Sequence, residues 1–321
     1  MKCRLFFTFD NLSYGFYNIE FSRKDFYFTW SRRKLISVNF QITKWVFAKD
    51  NFRTDGRSRS DYRPMEVETK VIPHTSGSAR LRLANTDILV GVKVEVDTPY
   101  SYNPDQGKLE FFVDCSANAT PVFEGKGGDE LGTEISNTLT LAYQSPHVLD
   151  LTTLCILPEQ KCWKIYVDIL ILQCDGNLFD AISIAVKAAL YSTQIPKVTT
   201  ATLDGGKADI QLSDDPFDCV KLDVSSFPVL VTLCKIGENC VVDPTPEEEQ
   251  CSAASIVAAV MPNGRVTSVV KTGYGSLQPS TLVKTLQLAQ DIGIKLNTGI
   301  MNALKEEDAL GPQRSIFGFL K

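Results

Sequence analysis

A short turn between an apolar strand and an amphipathic helix is the part of the sequence best suited to hold an anion. The strand spans residues 166–172, the polar turn is Gln173–Asn177, and the helix runs to about Leu190. The first backbone N–H groups of a helix have no partners within it, and the helix dipole is positive at that end. Gly176 would let the turn approach a phosphate closely. The run therefore predicts a place where phosphate could bind.

The histidines and cysteines give no local sign of a catalytic pair or a metal site. The nine cysteines are scattered through apolar runs, and no pair has the spacing of a zinc knuckle. We expect buried free thiols, no metal and no cofactor. His74 and His147 lie in predicted turns, where we expect both to be solvated.

The formal charge of −5 conceals an uneven distribution along the chain. Residues 1–49 hold nine Lys/Arg against three Asp/Glu, interleaved with many aromatic residues. Such a mixture can bind single-stranded nucleic acid. The segment lacks helical or strand periodicity, however, so we favour a disordered extension or a gene-model artefact for residues 1–49. The rest of the chain is acidic and is therefore poorly suited to bind RNA by itself, because affinity for RNA depends on cations that neutralise its phosphates.

Two similar sets of strands followed by a helix indicate an α+β fold whose two halves pack together. We assign the first half to residues 50–195 and the second to residues 196–321. The turn Pro262-Asn263-Gly264 predicts a hairpin in the second half. The predicted strands are residues 66–72, 79–83, 87–96, 108–115, 166–172, 228–236, 254–261 and 265–271, and the predicted helices are residues 129–141, 178–190 and 279–304.

Several stretches resemble the RNase PH family, whose active members shorten RNA from its 3′ end with inorganic phosphate. The resemblance covers about residues 50–321, and its matching stretches are 53–64, 90–99, 109–121, 123–135, 175–190, 211–218 and 230–255. It implies an RNase PH-type fold. In active members the turn reads Asp-Gly-Gly-Thr-Arg-Thr-Ala, and its Thr-Arg pair holds the phosphate.

The resemblance implies that the phosphate site of this chain is degenerate, at Asn177, Leu178, Phe179 and Asp180. Leucine and phenylalanine cannot bind a phosphate. Asp180 falls about where the phosphate would be held, and two unit charges 4 Å apart repel by about 4 kcal/mol at an effective dielectric near 20. We prefer a structural role for Asp180, as a first-turn carboxylate that suits the helix dipole, with Asn177 as the N-cap.

A second family site also departs from the active pattern. Active members carry two aspartates six residues apart, which hold a divalent metal and balance the charge of the displaced ribose oxygen. Glu249 takes the first position here, and the second falls on Ser255, or on Ala253 if a two-residue gap is allowed. The resemblance therefore implies a degenerate carboxylate site at Glu249 and Ser255.

The match is most specific to a non-catalytic ring subunit of the RNA exosome. It implies partnership with other RNase PH-like ring subunits and with cap subunits, in a ring whose channel passes RNA to a separate nuclease. It also implies RNA processing and degradation in the nucleus, nucleolus and cytoplasm, and no apolar run is long enough for a membrane span. We expect no membrane partner.

Lys126 lies in a predicted glycine loop, residues 124–128, where a family member could contact RNA phosphate. The alternative, which we prefer, is a solvated lysine beside Asp129 and Glu130. Two other functions stay open besides the scaffold role. One is a phosphate-dependent 3′-to-5′ exoribonuclease with a rearranged site, in which Asp243 and Glu249 hold a metal. The other is a regulatory or RNA-binding module outside any ring.

Overall fold

The computed structural model describes residues 53, 55–124, 126–202, 208–212, 215, 218–237 and 239–311. These residues belong to one compact unit, Phe40–Lys321. The predicted leader, residues 1–49, lies outside the described residues.

The described chain alternates short strands with four α-helices. The strands are β1 (Met65–Thr69), β2 (Gly77–Leu83), β3 (Thr86–Asp97), β4 (Lys108–Cys115), β5 (Cys155–Leu157), β6 (Lys161–Gln173), β7 (Gln194–Pro196), β8 (Val198–Thr202), β9 (Ala208–Leu212), β10 (Cys219–Lys221), β11 (Val229–Ile236), β12 (Asn239–Val242), β13 (Ala254–Val260) and β14 (Val266–Thr272). The helices are α1 (Lys126–Tyr143), α2 (Leu178–Ser192), α3 (Pro246–Cys251) and α4 (Pro279–Leu310). Two 3₁₀ turns lie at Pro121–Phe123 and Leu151–Leu154.

Each half of the fold is built on its own sheet. The first sheet has the order β1-β2-β3-β6-β4, with β5 also paired to β6. Only β4 and β6 run parallel in it. The second sheet is antiparallel, in the order β12-β11-β13-β14. The ribbons β7–β10 and β8–β9 complete an α+β architecture, as the sequence predicts.

Helix α2 joins the two halves because it packs against strands of both sheets, β2 and β3 on one side and β11 on the other. All of its residues except Phe179 and Tyr191 are buried. A helix that is apolar on every side is stable only when it is surrounded in this way. Alternate residues of β3, among them Ile88, Val90 and Val92, point to the same core.

The predicted hairpin is confirmed, while several element boundaries differ from the predicted ones. Strand β1 ends at Thr69 because Lys70 adopts a positive φ of 56°, which an extended strand cannot continue. Helix α4 continues to Leu310. The glycine loop predicted at residues 124–128 is wrong in part, because α1 already begins at Lys126.

The glycines of α1 serve close packing. A Cβ at Gly128 would lie 2.9 Å from the carbonyl oxygen of Phe123, and one at Gly132 would lie 2.8 Å from that of Val113. Glycine is needed at these positions because the backbone approaches a neighbouring segment too closely for a side chain. Among the described residues, no helix is both long enough and apolar enough to cross a membrane.

Candidate functional site

The turn between β6 and α2 is held in one shape by its contact with the second half of the chain. Gly176 has a φ of 78°, and a Cβ there would lie 2.9 Å from the carbonyl oxygen of Pro244 and 3.0 Å from the nitrogen of Pro246. Only glycine satisfies both the backbone conformation and the space. The N-terminus of α2 is therefore fixed against the segment that leads into α3.

The anion position at this helix start receives a carboxylate from the protein itself. The backbone N–H of Asn177 donates to Oε1 of Glu249 at 2.7 Å. Loss of water around this carboxylate raises the pKa of Glu249, although the residue as a whole is exposed on α3. A negative group at a helix N-terminus is favourable. Glu249 therefore occupies a donor that an incoming phosphate would need.

The two apolar residues that replace the phosphate-holding pair belong to the hydrophobic core. Leu178 is buried, and Phe179 is half-buried and packs against the same core cluster. Neither side chain has a hydrogen-bonding atom to offer a ligand. The prediction that these positions cannot bind phosphate is consistent with their packing.

Asp180 is engaged by partners inside the protein, and its predicted repulsion of a phosphate stays a prediction. Its carboxylate is fully buried beneath the helix start. It accepts hydrogen bonds from Thr232 Oγ1 at 2.7 Å, Tyr62 Oη at 2.8 Å and Asn177 Nδ2 at 3.0 Å. Burial raises the pKa of Asp180 to about 6, against the opposing effect of these hydrogen bonds. Asp180 is a structural residue, as preferred from the sequence.

Asn177 occupies the predicted N-cap position without forming the predicted cap. Its φ is 53°, and its side chain makes no capping hydrogen bond. The side chain instead donates to Asp180 and, at 2.8 Å, to Oδ1 of Asp243. With this left-handed backbone, the side-chain amide lies away from the helix N–H groups. It donates instead to two buried carboxylates inside the protein.

Asp243 is the centre of a buried ionic cluster. Oδ2 accepts from Arg57 Nη1 at 2.7 Å and from the backbone N–H of Arg63 at 2.7 Å, and Oδ1 accepts from Arg63 Nη2 at 2.8 Å. Burial alone would raise its pKa, but the hydrogen bonds from Arg63 hold the pKa of Asp243 below its usual value. The groups that donate to its carboxylate are Arg57, Arg63 and Asn177. These partners leave little room for a metal ion beside Asp243.

A second arginine–carboxylate pair lies beside this cluster. Arg53 forms a bidentate pair with Glu248, with Nε–Oε1 and Nη2–Oε2 distances of 3.0 and 2.6 Å. The same guanidinium donates to the carbonyl oxygens of Val242 and Asp243 at 2.9 and 2.6 Å. Glu248 also completes a capping box with Thr245 at the start of α3. The arginine-rich segment at residues 53–64, which we call the entry motif, is thereby tied to the second half of the fold.

The position of the second family carboxylate contains no acid. Ser255 Oγ lies 3.0 Å from Cys234 Sγ and 3.3 Å from Ser252 Oγ. Burial raises the pKa of Cys234 to about 12, so it is a thiol at neutral pH. Within the part of the chain that the structure describes, no three His, Cys, Asp or Glu side chains form a group that could hold a metal.

The remaining sequence candidates lie apart from the turn. Lys126 is exposed at the first turn of α1, and Asp129 and Glu130 follow one turn later. His74 and His147 are exposed in turns, as predicted. The contacts that sequence reasoning missed are those of Asp243, Glu248 and Glu249. The arginine-rich entry motif was the one signal that carboxylate partners existed.

Family models and similar proteins of known name point to the same family. Models of the 3′ exoribonuclease family match residues 61–196 (domain 1) and 226–292 (domain 2). A Dictyostelium discoideum protein named as a candidate exosome complex exonuclease, RRP42, is 33% identical over 80% of this chain and 94% of its own length. The exosome complex component Rrp42 of Methanopyrus kandleri is 35% identical over 74% of this chain and 86% of its own.

Solved structures show the same architecture. A chain of the Archaeoglobus fulgidus exosome with RNA bound to the active site superposes with a TM-score of 0.72 at 28% identity. The match covers 83% of this chain and 99% of that one. A chain of an archaeal exosome core gives a TM-score of 0.69 at 27% identity, over 84% of this chain and 98% of that one.

Proposed function

The chain belongs to the 3′ exoribonuclease (RNase PH) family, and on that premise we propose that it is a ring subunit of the RNA exosome without catalytic activity of its own. Its partners are other RNase PH-like subunits, and RNA as part of the assembled complex. It supports 3′-to-5′ RNA processing and degradation by helping to form the ring through which RNA reaches a separate nuclease.

One observation carries the proposal that the subunit is not a catalyst. Glu249 Oε1 accepts the Asn177 N–H at 2.7 Å, so a tethered carboxylate occupies the donor that phosphate would use. A free anion must displace this carboxylate and then meets the side chains of Leu178 and Phe179, which have no hydrogen-bonding atom. An attacking phosphate would therefore be poorly held at the start of α2.

The carboxylate chemistry of the family is also absent at the matching positions. Ser255 replaces one acid, and Asp243 is already neutralised by Arg57 and Arg63. A metal at Asp243 would have to break buried ion pairs, at a cost of several kcal/mol. The rearranged site, in which Asp243 and Glu249 hold a metal, is therefore the weaker candidate.

Among ring subunits, we assign the chain to the non-catalytic subunit known as exosome component 7. The supporting observation is sequence similarity that is specific to that subunit, in residues 109–121, 123–135 and 175–190. The corresponding location is the nucleus, including the nucleolus, and the cytoplasm. Lys126 is exposed at the start of α1 and is available for an RNA phosphate, although its nearest acidic neighbours favour simple solvation.

An RNA-shortening assay with and without phosphate tests the absence of catalysis. We expect the purified chain to leave a 5′-labelled single-stranded RNA intact in both conditions and to release no nucleoside diphosphates. Phosphate-dependent release of nucleoside diphosphates would overturn the proposal. The variant Glu249→Gln is the control for contamination, because activity that belongs to a rearranged site would be lost in it while a contaminating enzyme would be unaffected.

Co-expression with the other ring subunits tests the scaffold role. We expect the chain to co-purify with them in a stoichiometric complex. A stable monomer that stays separate from every ring subunit would instead support a regulatory module that acts alone.

A further inference from the structure

Two cysteines lie directly opposite each other in the hairpin formed by β5 and β6. The register of these strands pairs Cys155 with Cys162 and Leu157 with Lys161, with a register shift between the two pairs, and residues 158–160 form the turn. Opposed residues of an antiparallel pair point to the same face of the sheet, so the two thiols share one face. Among the strand pairs within the described residues, no other sets one cysteine against another.

The backbone spacing of this pair suits a disulfide bond. Opposed residues of an antiparallel ladder have Cα atoms roughly 4.5–5.5 Å apart. A disulfide joins residues whose Cα atoms are about 4.4–6.8 Å apart, so the strands need not separate or approach to admit one. Both thiols are free in this structure. Closing the bond therefore requires rotation of the two side chains and little rearrangement of the backbone.

The two thiols differ in their access from solvent. Cys162 is fully buried, whereas Cys155 is half-buried. Burial raises the pKa of both thiols, Asp105 adds to the rise at Cys155, and Lys108 opposes it at Cys162. Cys155 is also among the groups that raise the pKa of Cys162, because the two thiols are close enough to interact. A reagent from solvent therefore reaches Cys155 first, and Cys162 is placed to react second.

The hairpin is fixed at its strand and at its turn, which keeps the two thiols opposed. Strand β6, which carries Cys162, is an interior strand of the first sheet and pairs with β3 and β4. The Glu159 N–H of the turn donates to the carbonyl oxygen of Pro104 at 3.0 Å, and the Gln160 N–H donates to that of Leu157 at 3.1 Å. Because the strands are already held together, a thiol on one strand reacts with a sulfur on the other as an intramolecular partner.

We propose that Cys155 and Cys162 are a modification site, where a reversible intrachain disulfide forms by exchange with a low-molecular-weight disulfide such as oxidised glutathione. The Cys155 thiolate attacks one sulfur of the reagent, forms a mixed disulfide and releases one glutathione thiolate. The Cys162 thiolate then attacks the Cys155 sulfur and releases the second. Two protein thiols are oxidised to a disulfide, one reagent disulfide is reduced to two thiols, and these take up the two protons that the cysteines lose. The site is independent of the ring-subunit function.

The test is disulfide mapping of the full chain after reaction with oxidised glutathione. The reduced protein is incubated at about pH 8.5, because the thiolate is the attacking species and the pKa of both thiols is raised. Remaining thiols are alkylated, and trypsin is applied without reductant. Cleavage after Lys161 separates the two cysteines, so their bond joins peptide 127–161 to peptide 162–164. We expect this linked pair to be the predominant disulfide and to disappear on treatment with dithiothreitol.

Serine variants assign the order of attack. In Cys162→Ser we expect Cys155 to keep one glutathione as a mixed disulfide, because the second thiol is missing. In Cys155→Ser we expect the fully buried Cys162 to stay unmodified. The matched control is Cys219→Ser, which replaces a half-buried cysteine opposite Pro196 on β10 and should form the 155–162 bond as the wild type does.

The wild-type reaction decides the proposal without the variants, so a variant that does not fold leaves the test intact. A glutathione adduct that persists on Cys155 in the wild type, a bond from either cysteine to a different one, or two unmodified thiols would each overturn the site. Circular dichroism reports that the reacting chain is folded, and a linked pair that forms only in urea also overturns it. Glutathione on Cys162 in Cys155→Ser overturns the order of attack.

Discussion

Asp243 shows how both oxygens of a buried carboxylate can be engaged by partners within the protein. It lies beside a helix start that could hold an anion, yet Arg57, Arg63 and Asn177 satisfy its oxygens. Three carboxylates therefore bind Asn177: Asp180 and Asp243 accept from its side chain, and Glu249 accepts from its backbone N–H. At the scale of single residues, the start of α2 is bound by an internal set of hydrogen bonds.

We expect Asp243→Asn to lower the free energy of unfolding by roughly 3–5 kcal/mol, because it leaves buried arginines without their counter-charge. Urea denaturation of the purified chain measures the change. Asp168→Asn on the exposed sheet face is the control and should change stability by less than about 0.5 kcal/mol. Equal effects in the two variants would mean that the buried cluster does not stabilise the fold.

At the scale of elements, the β6–α2 turn depends on one glycine that faces a proline-rich segment. The strand, the turn and the helix follow from local sequence, because residue periodicity and turn residues act over a few positions. The position of α3 against this turn is a tertiary contact, and it is what brings Glu249 to Asn177. The element boundaries that differ from prediction were set by local backbone angles and close packing.

We expect Gly176→Ala to destabilise the fold by about 2 kcal/mol or more, because alanine is strained at a φ of 78° and its Cβ would lie 2.9 Å from the Pro244 oxygen. The matched control is Gly299→Ala in the exposed middle of α4, where nothing lies within 4 Å of the new Cβ. That change should stabilise by about 0.5–1 kcal/mol, because alanine favours the helix. Thermal melting of both variants should therefore shift in opposite directions.

At the scale of the whole molecule, a buried lysine connects three parts of the fold. Lys187 in α2 donates to the carbonyl oxygen of Phe227 at 2.8 Å and to Asn297 Oδ1 in α4 at 2.6 Å. Asn297 in turn donates to the carbonyl oxygens of Val260 and Gly293. Burial lowers the pKa of Lys187 to about 8. The interior of the molecule thus carries a charge at neutral pH, and within the described residues its hydrogen bonds go to carbonyl oxygens.

This lysine should make stability depend on pH. The folded chain releases the Lys187 proton near pH 8 and the unfolded chain near pH 10.5, so the unfolded state binds more protons between these values. The contribution of Lys187 to stability should therefore rise with pH above 8, by up to about 3 kcal/mol over the whole window. Buried thiols such as Cys234 contribute in the opposite sense, because their pKa is raised in the folded chain, so the lysine is measured as a difference between variants from pH 8 to 9.5. Over that range Lys187→Met should change less favourably with pH than the wild type, while Lys284→Met, an exposed lysine on α4, should follow the wild type; the same pH dependence in Lys187→Met and the wild type would contradict this assignment.

The sequence alone determined the α+β class and most strand and helix positions, because these follow from local patterns. The interpretation that apolar residues at 178 and 179 replace a phosphate-holding pair came from the resemblance to the RNase PH family. Only the tertiary structure decided that Glu249 fills the anion position, that Asp180 points inward, and that Arg53, Arg57 and Arg63 pair with Glu248 and Asp243. These partners are separated by 180 residues or more in most cases. Contacts between residues so far apart in the sequence depend on how the two complete halves pack, and no local sequence pattern predicts them.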